Sequence, residues 1–156
     1  MKFDKKVILS WLAAGLWMTI IFVFSAQPAE ESENVSMGIT SIIVIALKSL
    51  GLIADANALW LDYIIRKLAH AFVFFVLAML VVNAFLKTGA KGIKAFIFAF
   101  VFTALYACSD EFHQIYVPGR ACMWSDMIID SLGAIFGLGV FAIAWKRRQA
   151  QKLKER

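Results

Sequence analysis

Three short stretches hold most of the side chains able to do chemistry in the interior of this 156-residue chain. Arg66, Lys67 and His70 form the first, and Asp110, Glu111, His113 and Gln114 the second. Arg120, Asp126 and Asp130 form the third, and Ser25 and Gln27 add a smaller polar group. On a helix Arg66 and His70 share a face, as do Asp126 and Asp130, and Asp110 and Gln114. Arginine suits bidentate capture of carboxylate or phosphate. The carboxylates can orient the arginines or accept from amide and ammonium groups. His70, His113 and Glu111 are the candidates for acid–base catalysis. His70, His113, Asp110, Glu111, Asp126 and Asp130 also have metal-ligand chemistry. No compact motif such as H-E-x-x-H joins them, and neither metal nor cofactor is expected. Nucleophile-elbow serines and phosphate-cradling loops are absent from the sequence too.

The elements that must carry these residues follow from composition. The chain is 62% apolar and 17% charged, against about 45–50% and about 25% in an average soluble domain. A soluble domain of this length buries only about two-thirds of its surface and cannot hide so much apolar side chain. This excludes a soluble globular protein and a disordered chain, and two cysteines are too few for a disulfide framework. A small membrane protein of one domain, residues 1–156, remains.

Charge-free stretches predict four spans, at about 7–26, 67–86, 93–110 and 126–145, with a basic tail at 146–156. The uncharged cores of the last two are only fifteen residues each, about 22 Å at the helical rise, short of a hydrocarbon layer of about 30 Å. Either the bilayer thins there, or Asp110, Glu111, Asp126 and Asp130 lie below the surface in a wet vestibule. All the polar stretches then meet at one level. The bland reading is structural: Arg66 and His70 neutralise Asp126 and Asp130. So many polar groups at one level exceed what four helices need for packing, which favours a pocket.

The net charge of +5 does not point to nucleic acid, because the cations are segregated. The chain ends and the loop Lys87–Lys94 hold twelve Lys and Arg against two acids, while the opposite side holds four against nine. The positive-inside rule places both ends in the cytoplasm. Residues 27–66 and 110–126 then face outward. Within the first of these, Val35–Leu47 is thirteen uncharged residues, a length for an interfacial or re-entrant helix. Ser36 is placed to cap it, and Trp60 and Tyr63 read as interface anchors. Ser125 is placed to cap the last span. Cys108 and Cys122 flank a turn at Pro118-Gly119-Arg120, where a disulfide is one option. Gly133 and Gly137 form a helix-contact pattern. Phe96, Phe98, Phe100 and Phe102 alternate like a strand, but their context makes a lipid-facing helix. The fold class is an all-α membrane protein: four transmembrane helices, with an extracellular interfacial or re-entrant helix between the first two.

Ser109-Asp110-Glu111-Phe112-His113-Gln114-Ile115-Tyr116-Val117-Pro118-Gly119-Arg120, followed by Asp126, Asp130 and Gly133, resembles the signature of the VanZ-like membrane proteins. Arg66-Lys67-Leu68-Ala69-His70 is similar to their second motif. Phe24-Ser25-Ala26-Gln27-Pro28, with Ser32 and Ser36 beyond, is similar to their first. The resemblance covers about residues 10–145 in the right order. It implies a bacterial multi-pass plasma-membrane protein. The founding member is associated with low-level resistance to the glycopeptide teicoplanin. Val73 and Phe74 stand where many relatives have an acid and a tyrosine, so no carboxylate follows His70 here.

The reading that follows is an outward pocket for a cell-envelope ligand, either a lipid-linked wall precursor or a lipoglycopeptide. Its partners are the lipid bilayer and that ligand. The rival is a membrane hydrolase or transferase on a lipid-linked substrate, with His70 or His113 as base. A transporter would need polar residues through the inner halves, where Thr19, Asn83 and Thr103 are the main ones.

Overall fold

The computed structural model describes residues 4–52 and 58–155. Lys2 and Arg156 of the basic ends, and Asp55 among the outward acids, lie outside the described residues. The described chain is helical without strands: α1 (Lys5–Ser25), α2 (Ala29–Ser49), α3 (Ala58–Thr88), α4 (Ile93–Gln114) and α5 (Trp124–Lys154). All but α2 are long and apolar enough to cross a membrane.

The helices extend past the charge-free stretches. α3 and α5 have 31 residues each, about 46 Å at the helical rise. α3 begins nine residues before the expected start at 67, because Asp62 and Arg66 pair at helical spacing. α4 does not stop at its acids. It runs through Asp110, Glu111 and His113 to Gln114, so both buried acids lie within its length.

α2 begins at Ala29 rather than 35. Pro28 cannot continue the preceding helix, and Glu30 and Glu31 in the first turn suit the positive helix end. Ser36 is therefore not a cap; its hydroxyl donates to the Glu33 carbonyl at 3.0 Å. Nor does Ser125 cap α5. Met123 takes that position, its N–H donates to Glu111 Oε2 at 2.9 Å, and the Ser125 hydroxyl donates to Asp126 Oδ1 at 3.0 Å.

The long helices alternate in direction along the chain, so that α1 runs parallel to α4 and α3 parallel to α5. Trp11 near the start of α1 donates to Thr88 Oγ1 at the end of α3, at 3.0 Å. Phe96 near the start of α4 packs against Trp145 of α5. Gln114 at the end of α4 donates to Ser25 at the end of α1, at 3.3 Å. The described basic residues of the chain ends and of the 89–92 turn thus share one end of the bundle with Asp4 and Glu155, and the other described acids lie towards the opposite end. The core is built from Phe74, Leu77, Val81, Ala99, Ala107, Ala134 and Leu138. Trp17 donates to the Val73 carbonyl at 2.9 Å and Tyr106 to the Met18 carbonyl at 2.7 Å, so the buried aromatic donors are satisfied.

α3 and α5 approach most closely. A Cβ on Gly133 would stand 2.1 Å from the Ala71 carbonyl oxygen, and one on Gly137 2.4 Å from that of Phe75. The small-residue pattern thus packs within the chain. The phenylalanines of α4 only partly face lipid. Phe98 is exposed, while Phe96, Phe100 and Phe102 pack on the core, because alternate residues on a helix turn about 200°.

Candidate functional site

At the acidic end of the bundle two polar zones adjoin. The first lies where α3, α4 and α5 meet. Lys67 Nζ pairs with Asp126 Oδ1. His70 Nδ1 stands 3.8 Å from Asp130 Oδ1, a longer and weaker approach. Asp130 and Glu111 are fully buried. Neither oxygen of Asp130 has a hydrogen-bond partner, and Glu111 Oε1 has none either. Buried carboxylates without partners are costly.

The second zone is a cavity of about 290 Å³ between the end of α1, the first half of α2 and the outer half of α3. Ile21, Phe24, Val35, Ile39, Ile65 and Phe74 supply apolar wall. Ser25, Gln27, Ser32, Ser36, Arg66, His70, Asp110 and Arg120 supply the polar groups. Asp110 is 4% exposed, lines this space and leaves Oδ1 unpartnered. His70 belongs to both zones, since it lines the cavity and approaches Asp130.

The arginines differ from expectation. Arg66 does not meet Asp126 or Asp130. Its Nη2 lies 2.6 Å from Asp62 Oδ2 and 3.4 Å from Glu33 Oε1 of α2. Lys67, one residue on and about 100° around the helix, faces α5 instead. Arg120 is placed by the turn after α4, where Gly119 adopts φ +76°. Its Nε donates to the Gln27 carbonyl at 2.9 Å and its Nη2 to that of Phe24 at 3.4 Å. It therefore adds a donor to carbonyls at the end of α1, that of Phe24 also accepting from the Gln27 N–H at 3.3 Å, while also lining the cavity. Burial lowers the pKa of its guanidinium, the Asp110 carboxylate opposes this, and Arg66 adds to the lowering. It stays a cation at neutral pH.

His113 is set apart. Its ring packs against Phe22 with centroids 4.6 Å apart, and it does not line the cavity. Among the described residues, no group of three or more His, Cys, Asp and Glu is placed to hold a metal ion. Cys108 and Cys122 are both free.

The same turn ties down α2. The Ala29 N–H donates to the Pro118 carbonyl at 3.1 Å, and the Ala29 methyl lies where a side chain on Gly119 would go. All three polar stretches thus converge on one end of the bundle, in the order the signature lists them. The family model for VanZ/LLP1 matches residues 10–145. The chain belongs to the VanZ/LLP1 family. No curated protein and no solved structure matches it. The matched region takes in every candidate residue of this VanZ/LLP1 chain and leaves out mainly its basic ends.

Sequence reasoning missed Asp62, Thr40 and Glu33. Asp62 is 3% exposed and Thr40 1%. The Thr40 hydroxyl donates to Asp62 Oδ1 at 2.9 Å, while Asp62 Oδ2 holds Arg66. One buried carboxylate thus joins α2 to α3 beside the cavity. The four-residue spacing of Asp62 and Arg66 carried this signal, but the charge-free stretch starts the span only at 67 and leaves Asp62 outside it. In chemical terms the VanZ/LLP1 cavity offers donors in Arg66, Arg120 and the serines, and one unfilled acceptor in Asp110.

Proposed function

We propose that this VanZ/LLP1 protein lies in a bacterial plasma membrane with both ends of the chain cytoplasmic. The cavity beside α2 then faces outward, and it binds a cell-envelope ligand, either a lipid-linked wall precursor or a glycopeptide antibiotic such as teicoplanin. In this reading α2 lies at the outer interface, its apolar Ile42 and Ile45, both 68% exposed, resting on lipid. The segregation of basic and acidic groups to opposite bundle ends supports the orientation.

One observation carries the binding reading: Asp110 is buried against a cavity with Oδ1 unpartnered. An unsatisfied buried acceptor costs about 1–3 kcal/mol. A ligand that brings an amide, hydroxyl or ammonium donor recovers that. Arg120 beside it meets carbonyl or phosphate oxygens.

A second reading rests on the His70–Asp130 approach at 3.8 Å. With Asp130 orienting the ring, His70 can act as the base of a hydrolase or transferase on a lipid-linked substrate.

Protein reconstituted in nanodiscs, titrated with a lipid-linked disaccharide-peptide and with teicoplanin, separates these readings. Saturable binding of at least one is expected, weakened about tenfold in Asp110→Asn, the equivalent of about 1.4 kcal/mol. Absence of binding by both overturns the binding reading. Release of the head group on incubation, lost in His70→Gln, establishes the enzyme instead.

A further inference from the structure

The cavity is walled unevenly. Its charged groups come from α3, α4 and the turn after it, with Asp110 and Arg120 standing together beside Ser25, while α2 adds only the hydroxyls of Ser32 and Ser36. On the other side lie Phe24, Val35 and Ile39, three cavity-lining residues that are nevertheless 60%, 59% and 49% exposed. They open the space sideways, between α1 and α2. Among the described residues α2 packs chiefly on α3 and makes no extended contact with α1. Thr40 is the only residue of α2 that is buried. The opening is apolar, so water gains little there, and it faces the direction of the exposed apolar side chains of both helices.

We propose that the gap between α1 and α2 is a side entrance from the lipid, which admits the hydrocarbon chain of a membrane-resident amphiphile whose hydrogen-bonding head group rests on Asp110 and Arg120. This rests on the binding reading above and narrows its ligand to a class, a sugar- or amide-bearing lipid. The chain lies along Phe24, Val35 and Ile39, past the small hydroxyls of Ser32 and Ser36, of which Ser36 already bonds the Glu33 carbonyl. The head group donates to Asp110 Oδ1, the acceptor that the protein leaves open, and accepts from Arg120. A lipid with a choline head group has no donor for Asp110, so ordinary phosphatidylcholine fits the entrance but not its end.

The test uses the full-length protein in nanodiscs and three photoreactive probes. One carries a diazirine at the end of a polyprenyl chain bearing a diphosphate-sugar head group. The second carries the diazirine on the sugar of the same lipid. The third is phosphatidylcholine with a chain-terminal diazirine. Labelled peptides are located by mass spectrometry. The chain probe is expected to label residues 21–24 and 35–39, the sugar probe residues 110–120, and the phosphatidylcholine probe the general lipid face. Ile39→Trp, at a half-exposed position, fills the mouth and cuts chain labelling at 21–24 by about tenfold, with melting behaviour followed alongside to establish that the variant is folded. Sugar labelling at 110–120 with chain labelling spread evenly over the bundle overturns the side entrance and leaves the binding reading standing. Loss of site-specific sugar labelling overturns the side entrance and its ligand class, and the binding reading falls with it only when teicoplanin also fails to bind. Equal labelling of 21–24 and 35–39 by phosphatidylcholine overturns the selectivity that defines this proposal.

Discussion

Asp130 is a carboxyl group in full burial with no hydrogen bond to either oxygen, held only by a distant histidine. Such a group works against the fold. Asp130→Asn keeps the shape and cannot ionise, so thermal unfolding in detergent should show stability unchanged or raised, by about 1 kcal/mol. A phenotype lost in that same variant would mark Asp130 as retained for function. Asp62 predicts the opposite sign. It serves both Thr40 and Arg66, and Asp62→Ala should lower stability by about 2 kcal/mol in the same measurement. These two acids show what could be read beforehand. Asp130 stood out because it interrupts an apolar run, and the level at which it lies was legible. The approach of His70 to it was legible too, but the partner of Asp126 was not, since residue spacing fixes a face but not the rotation of one helix against another. Arg66 and Lys67 are neighbours in the chain, yet one turns to α2 and the other to α5. Arg120 was legible as a pocket residue, but its bonds to the α1 carbonyls depend on a fold contact ninety-three residues away.

At the scale of elements, hydropathy located the four long helices because lipid selects for unbroken apolar stretches. It misplaced their ends. A charged residue closes a span in a hydropathy reading, whereas a backbone hydrogen-bond ladder continues through Asp110 and Glu111 once those acids are buried among other helices. α2 was anticipated only in its apolar part, since Glu30 and Glu31 read as loop until they are seen as first-turn acids. The glycine pattern of α5 was read correctly as a contact. Gly133→Ala forces a methyl into backbone, at 2.1 Å from the Ala71 carbonyl, and should destabilise by about 3 kcal/mol. Gly139→Ala meets nothing within 4 Å and should be neutral or stabilising by up to about 1 kcal/mol. Fluorescence-detected size exclusion after heating measures both.

For the whole molecule, orientation is the first thing to establish. In a Cys108→Ser, Cys122→Ser background, Glu31→Cys should react with an impermeant maleimide on intact cells and Lys152→Cys should not. Reaction at position 152 would invert the map. The second expectation concerns motion. α2 has one buried residue and packs chiefly on α3, so its amides should exchange with solvent deuterium faster than those of α3 and α5. Comparable protection across all three helices would show α2 to be as rigid as the rest.

The glycine seam has a mechanical side as well. Between α3 and α5 backbone lies directly on backbone at Gly133 and Gly137, with no rotamer to rearrange and no soft layer to compress. The pair behaves as a strut. Any deformation that lets a molecule into the cavity must therefore be taken up by α2 and the end of α1. An antibody fragment that clips α2 to α1 should arrest the protein without touching a charged residue. A fragment that grips the outer faces of α3 and α5 should act as a silent handle, useful for imaging so small a target.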